Sequence, residues 1–325
     1  MTAASAPAGR RPRFVQYEAP APEVAAAILA GLRGRPPAIA PRYFYDALGS
    51  RLFEAICELP EYYPTRTEAE IFADCGAQIA AEVGPGATLI DVGAGDCEKA
   101  ARLFGLLQPA QYAALDISAQ FLRQRLECLQ ERFPQLDIVG VALDYADDLR
   151  LPQAVAAQRR LFFYPGSSIG NFAPDEAVAF LRRVRALAGD DGQLLIGVDL
   201  VKAKPILEAA YDDELGVTAA FNRNLLNHVN RLAGTDFDLR DWRHVACYDE
   251  AAARVQMHLE ARRDVTVRLP DGAPLRLAAG ERIHTENSWK YTGAGFERLL
   301  RQAGFGRMRH WTDRRDWFAL FLARG

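Results

Sequence analysis

The residues best placed to do chemistry stand at the ends of hydrophobic runs. Leu89-Ile90-Asp91-Val92 leads straight into Gly93-Ala94-Gly95, a strand-to-glycine turn of the kind that holds a nucleotide. Missing β-carbons let backbone N–H groups approach a ligand, and a helix beginning near Glu98 would offer its positive end to polar groups. A dinucleotide fingerprint needs a third glycine three residues after Gly95; Glu98 stands there, which disfavours NAD. The next run, Tyr112 to Leu115, ends in Asp116, an acid able to grip both hydroxyls of a ribose. A third, Leu136 to Leu143, ends in Asp144-Tyr145, where the exocyclic amine of an adenine finds an acceptor. S-adenosylmethionine needs that grip and has no pyrophosphate to cradle. The glycine turn with two acids on successive strand ends therefore points to a methyltransferase-type site.

The elements that must position these groups follow from periodicity. Leu89–Val92, Tyr112–Leu115, Ile138–Leu143, Leu161–Tyr164 and Leu194–Val198 read as strands separated by amphipathic helical stretches, which predicts an α/β fold with a parallel, doubly wound sheet. Pro174 opens a helical pattern that closes near Gly189, so Asn171 falls at the exit of the fourth strand. Taken alone, Asn171 also fits a cap for that helix. Thr65-Arg66-Thr67-Glu68 has capping-box spacing ahead of a helix running to about Val83, which leaves Tyr62, Tyr63 and Pro64 on the preceding loop. After Leu200 a polar helical stretch to about Asn230 gives way to alternating strands at Val255–Arg263 and Val265–Leu269, the signature of a half-exposed antiparallel sheet. A helix (Ala294 to Ala303) and two strands (Met308–Trp311, Trp317–Ala323) return the chain to the first sheet, as a Rossmann-like methyltransferase core would end. Residues 201–291 thus read as an insertion.

Composition narrows the function classes. In 325 residues, 50% hydrophobic and 25% charged, there is material for a large core in one or two domains. A net charge of -3 and the lack of a basic stripe argue against nucleic acid, so a small molecule is the expected partner. Charges interrupt every apolar run before it reaches membrane-spanning length. The 5 cysteines show no C-x-x-C, and the 5 histidines no H-x-x-x-H, so neither disulfides nor a metal is expected; the histidines read as structural or surface residues. Residues 1–12, rich in Ala, Pro and Arg without an apolar stretch, read as a disordered tail, and the expected location is the cytoplasm.

Six segments carry a resemblance that spans nearly the whole chain: FYDALGS (Phe44 to Ser50), LPEYYPTRTE (Leu59 to Glu68), DVGAGDCEK (Asp91 to Lys99), SSIGNF (Ser167 to Phe172), AAYDDELGVTAAFNRN (Ala209 to Asn224) and HTENSWK (His284 to Lys290). Together they resemble the histidine N-alpha-methyltransferase family of ergothioneine biosynthesis. The resemblance implies a Rossmann-like class I methyltransferase core (68–200 plus 292–325) with an inserted α+β substrate-binding domain (13–67 plus 201–291). It implies that S-adenosylmethionine is held by Gly93, Lys99, Asp116 and Asp144, with Tyr45 and Phe53 near the reacting amine. The carboxylate and amine of L-histidine would meet Asn171 and Tyr211, and its imidazole Tyr62, Glu286 and Ser288. A monomer is expected.

The residue types suit those roles. An imidazole needs partners for two ring nitrogens, and Glu286 and Ser288, two apart on an extended segment, would project from one face. Tyr62 can donate or accept, Asn171 can do both, and Tyr211 would donate through its hydroxyl. Another amino acid such as tryptophan, whose indole offers one N–H, makes poorer use of Glu286, and a silent cofactor-binding protein makes no use of the intact set Asp116, Asp144, Asn171 and Tyr211.

Overall fold

The computed structural model describes residues 10–17, 20–270 and 272–325. Its chain begins with strand β1 (Arg13–Gln16), helix α1 (Ala21–Leu32), a 3-10 turn (Pro41–Phe44) and helices α2 (Ala47–Glu58) and α3 (Pro64–Val83). An alternating stretch follows: β2 (Thr88–Val92), α4 (Glu98–Ala101), α5 (Phe104–Leu107), β3 (Gln111–Asp116), α6 (Ala119–Arg132), β4 (Asp137–Ala142), β5 (Arg160–Tyr164), a 3-10 turn (Ser168–Asn171), α7 (Pro174–Ala188) and β6 (Gln193–Asp199). Then come α8 (Lys204–Ala209), α9 (Val217–Ala233), β7 (Trp242–Asp249), β8 (Arg254–Ala261), β9 (Val265–Val267), β10 (Leu275–Leu277), β11 (Arg282–Trp289), α10 (Gly293–Gln302), β12 (Arg307–Thr312) and β13 (Phe318–Arg324).

An 8-stranded sheet, in the order β1-β4-β3-β2-β5-β6-β13-β12, forms the first layer system. Strands β1 to β6 run parallel and β13 and β12 return antiparallel. Strands β2 and β3 are buried on nearly every residue because helices cover both faces, and one apolar cluster fills each side of the sheet. Order reverses at β2, from which the chain steps first to β3 and β4 and later to β5 on the other side. Such a switch point opens a crevice at the carboxyl ends of the strands, and that is where Gly93, Asp116 and Asp144 fall.

The second unit packs α1, α2 and α9 against a 3-stranded antiparallel sheet, β11-β8-β7, around a separate apolar cluster that includes Phe44, Phe221, Leu225 and Trp242. It is built from both sides of the sheet core in sequence, so the α2–α9 pairing brings the 40s and 50s against the 220s.

Several expectations change at their boundaries. Residues 1–9 of the expected tail lie outside the described residues; Arg10 already hydrogen-bonds through its N–H to the Pro134 carbonyl at 3.2 Å. Strand β1, counted with the substrate unit on sequence grounds, pairs with β4 at the edge of the large sheet, where four residues with mixed polarity carry little strand signal. Helix α3 starts at Pro64 rather than after it, since proline suits the first helical position and surrenders no bond there. Its capping-box pattern goes unused: Glu68 turns inward instead. The helix expected near Glu98 is a single turn, α4, and a break separates it from α5.

Candidate active site

The glycine turn is shaped by backbone torsion. Gly93 and Gly95 have φ of 72° and 55°, the left-handed region that favours glycine, and a β-carbon at Gly93 would lie 3.0 Å from the Tyr145 hydroxyl. The amides are spoken for. Gly93 and Ala94 N–H groups donate to the Leu115 carbonyl at 2.9 and 3.0 Å, and Gly95 N–H donates to Asp116 at 2.9 Å. The turn therefore contributes room and shape rather than a row of free donors, which corrects the expectation drawn from the glycines. Beside it Asp91 is buried, and its Oδ1 has no hydrogen-bond partner while Oδ2 accepts from the Tyr112 hydroxyl at 2.8 Å. Burial pushes the Asp91 carboxyl up to about 7.

Asp116 closes β3 and accepts from Ser118 N–H at 2.9 Å as well as from Gly95. Burial raises its carboxyl, and these backbone donors pull against that rise. Asp144, just past the neighbouring β4, forms an ion pair with Arg42 of the first 3-10 turn, which also pairs with Asp147, so this acid is tied to the second unit. Lys99 lies 2.7 Å from the buried Glu68, whose other oxygen accepts the Gly166 N–H at 2.8 Å. Glu68 thus ties α3, α4 and the loop after β5 together. Lys99→Met leaves Glu68 with the Gly166 N–H alone. Discounted for an ammonium that is 37% exposed, the loss is expected to be about 2 kcal/mol, read as a lower urea midpoint. An unchanged midpoint would show that the pair does not hold these elements.

A pocket opens between this crevice and the second unit. It is lined by Tyr45, Phe53 and Tyr62 from the N-terminal segment, Asn171 from the 3-10 turn after β5, Tyr211 after α8, and Glu286 and Ser288 from β11. The aromatic rings meet edge-on in sequence, Tyr45 to Phe53 at 5.8 Å, Phe53 to Tyr62 at 6.2 Å and Tyr62 to Tyr211 at 6.4 Å between centroids. The Ser118 hydroxyl donates to the Tyr45 carbonyl at 3.1 Å, which joins this wall to the loop that follows Asp116. Strand β11 carries a register shift between His284 and Glu286, after which Glu286 pairs with Met257 and Ser288 with Val255. Glu286 and Ser288 consequently share the face toward the pocket.

Asn171 does not cap α7, whose N-cap is Ala173; its side chain bonds the Glu286 carboxylate. Burial pushes Glu286 up to about 7 although Lys290 and Asn171 both favour its ionised form. Burial also holds the Tyr45 and Tyr62 phenols well above their ordinary range, so both stay protonated at neutral pH.

Three charged groups escaped sequence reasoning. Asp199, at the end of β6, is buried with Lys290 at 2.7 Å and Lys202 at 2.5 Å, and accepts from the Tyr63 hydroxyl at 2.8 Å. Lys290 also donates to the Tyr211 and Ser288 hydroxyls, so Tyr211, expected as a donor to the substrate, is part of a hydrogen-bonded network. The one available signal was a lysine within HTENSWK where an apolar strand end would serve. Among the histidines, His244 bonds the Tyr211 carbonyl at 2.8 Å and His228 the Tyr43 carbonyl at 2.7 Å, backbone supports for the pocket wall. Among the described residues no group of three or more His, Cys, Asp or Glu is arranged to hold a metal, and no helix is long and apolar enough to cross a membrane.

A doubly wound sheet with an acid at the second strand end and a second unit over its switch point is the architecture of an S-adenosylmethionine-dependent methyltransferase. Residues 24–325 match the family model described as histidine-specific methyltransferase, SAM-dependent. The chain is 38% identical over 302 residues to histidine N-alpha-methyltransferase of Mycolicibacterium smegmatis, covering 91% of this chain and 93% of that one. It is 37% identical to the enzyme of that name from Mycobacterium tuberculosis, with the same coverage of 91% and 93%. Ergothioneine biosynthesis protein 1 of Neurospora crassa is 32% identical over 86% of this chain, which spans 32% of that longer protein. The chain belongs to the histidine-specific, S-adenosylmethionine-dependent methyltransferase family.

Proposed function

We propose that this protein transfers three methyl groups from S-adenosylmethionine to the α-amine of L-histidine, giving hercynine, the first step towards ergothioneine. The observation that carries the reading is the shared orientation of Glu286 and Ser288 into a pocket whose opposite wall is Tyr45, Phe53 and Tyr62. An acid and a hydroxyl on one strand face suit the two nitrogens of an imidazole.

The crevice fits the cofactor on its own chemistry. Asp116 presents a carboxylate for ribose hydroxyls, Asp144 an acceptor on the adenine side, and Lys99 a cation beside the Gly93 turn, where a β-carbon would crowd Tyr145. The orphaned Asp91 oxygen marks the same strand end as built for a polar neighbour. When bound, S-adenosylmethionine supplies an electrophilic methyl on its sulfonium.

Everything else is positioning. Asn171 and Tyr211 orient the groups on the α-carbon, and the faces of Tyr45 and Phe53 surround the amine without requiring N–H donors, so the wall tolerates each added methyl. Fixing the amine in line with the sulfonium offsets roughly 7–11 kcal/mol of barrier. A neutral amine is required, and Tyr45, held protonated by burial, is no base for its proton; water or a carboxylate takes it. Small-molecule turnover as a cytosolic monomer, without nucleic acid, completes the reading.

Two measurements test it. Mass spectrometry of purified protein with S-adenosylmethionine and L-histidine should give the trimethylated product, with fragmentation placing all methyls on the α-nitrogen; methylation of L-tryptophan alone would overturn the substrate. The pH profile is signed as well. Glu286, raised to about 7, accepts a ring N–H more strongly when ionised, so kcat/KM for histidine should climb as pH rises through 7. In Glu286→Gln the limb near 7 should vanish while the higher limb from the substrate amine remains. Identical profiles would contradict the assignment.

A further inference from the structure

Lys290 ends the HTENSWK segment with its side chain fully buried. Its Nζ lies 2.7 Å from Asp199, 2.9 Å from the Tyr211 hydroxyl and 2.8 Å from the Ser288 hydroxyl. An ammonium has three hydrogens and no lone pair, so each hydrogen has one partner and Lys290 can only donate. Burial alone would lower this ammonium, but Asp199 and Tyr211 hold it above the ordinary lysine range. Asp199 is itself fixed by Lys202 and Tyr63, so the donor cannot swing away from the two hydroxyls.

The Tyr211 and Ser288 oxygens lie 2.7 Å apart and share a hydrogen bond. Each hydroxyl brings one hydrogen and two lone pairs. Lys290 occupies one lone pair on each oxygen, and the shared bond uses one hydrogen and one further lone pair. What remains for a ligand is one hydrogen on one oxygen and one lone pair on the other. The pair cannot present two donors, nor two acceptors.

We propose that Lys290 is a positioning residue that sets the hydrogen-bond polarity of Tyr211 and Ser288 and thereby makes the neutral imidazole the reactive form of the substrate. This deepens the proposed histidine reaction and rests on it. With Glu286 accepting one ring N–H, the bare ring nitrogen takes the Ser288 hydrogen. The shared bond then runs from Tyr211 to Ser288, and Tyr211 keeps a lone pair for an N–H of the α-amine, leaving the nitrogen lone pair open to the sulfonium. A doubly protonated ring would need Ser288 as acceptor. That reverses the shared bond and turns the Tyr211 hydrogen onto the amine lone pair that the transfer requires.

The test uses the purified full chain. Lys290→Met should raise the KM for histidine at least tenfold while the Kd for S-adenosylhomocysteine stays within about twofold. In a Ser288→Ala background the same change should add less than about threefold, because its effect runs through the lost hydroxyl. Effects that multiply, or a histidine KM within twofold of the parent, overturn the proposal. Since Lys290→Met leaves the buried Asp199 with Lys202 but one cation short, the paired change Asp199→Asn with Lys290→Met removes both charges and should raise the same KM. The unaltered protein gives an independent readout: 15N-histidine bound with S-adenosylhomocysteine should show a neutral ring at about pH 6, where free imidazole is mostly protonated. A doubly protonated bound ring overturns the proposal. If the parent protein does not methylate histidine, the proposed function fails; if it does and Lys290 is without effect, this inference alone fails.

Discussion

Glu286→Ala is expected to lower kcat/KM for L-histidine by roughly 10- to 100-fold while leaving the affinity for S-adenosylhomocysteine within about twofold. The expectation follows from counting partners. Asn171 bonds Glu286 directly, and Glu286 is the carboxylate that shares the pocket-facing side of β11 with Ser288. Removing it leaves the ring N–H of a bound histidine without an acceptor in a half-buried site, a loss of about 1–3 kcal/mol, or near tenfold for each 1.4 kcal/mol. The indole of tryptophan would lose less, since carboxylate removal also relieves a group that is unfavourable to bury beside an apolar ring. Preference for histidine over tryptophan should therefore narrow. Equal losses for both substrates would place Glu286 in folding rather than in reading the ring.

Gly49→Ala is expected to be the most damaging single-methyl change in the N-terminal segment. A β-carbon there would sit 1.7 Å from the Phe44 carbonyl oxygen, where real contacts stay at 3.0 Å or beyond, so the 3-10 turn must be displaced. Nothing flexible lies in the way. Asp46 accepts the Gly49 N–H at 2.7 Å and is itself gripped by Asn224 at 2.8 Å, which anchors the turn to α9 from the other side. Overpacking of this kind is expected to destabilise by about 3 kcal/mol. Because Tyr45 and Phe53 flank the turn, a shift near 1 Å should also reduce turnover by about 100-fold. A urea melt and a histidine assay check both parts; normal turnover with a normal midpoint would show that the backbone moves freely at this junction.

What could be read from the chain divides along a physical line. Strands such as Leu89–Val92 and Leu194–Val198 are buried on both faces, so each is a largely apolar run closed by Gly or Asp, and a parallel, doubly wound sheet followed, without its edge strand β1. Strand β7 hides because Trp242–Asp249 alternates imperfectly and mixes Arg, His and Asp with its core residues. Glu68 shows the limit of local pattern: three residues past Thr65 it mimics a capping box, yet its buried carboxylate takes Lys99 and the Gly166 amide in place of a solvent-facing cap. The pairing of Asp199 with Lys290 joins residues 91 positions apart across two units, and no local spacing encodes such a pair. The pocket residues, by contrast, were legible through the resemblance, and their meeting depends on α2, α9 and β11 folding into one unit.

Glu286 and Ser288 hold the proposed substrate ring so that its α-amine faces the methyl donor. The most direct test is a crystal structure with L-histidine and S-adenosylhomocysteine bound together. One ring nitrogen should lie within hydrogen-bond reach of the Glu286 carboxylate, the other at the Ser288 hydroxyl, and the α-nitrogen should be directed at the sulfur past Tyr45. A histidine seated with its ring elsewhere, or with its amine turned away from the sulfur, would contradict it.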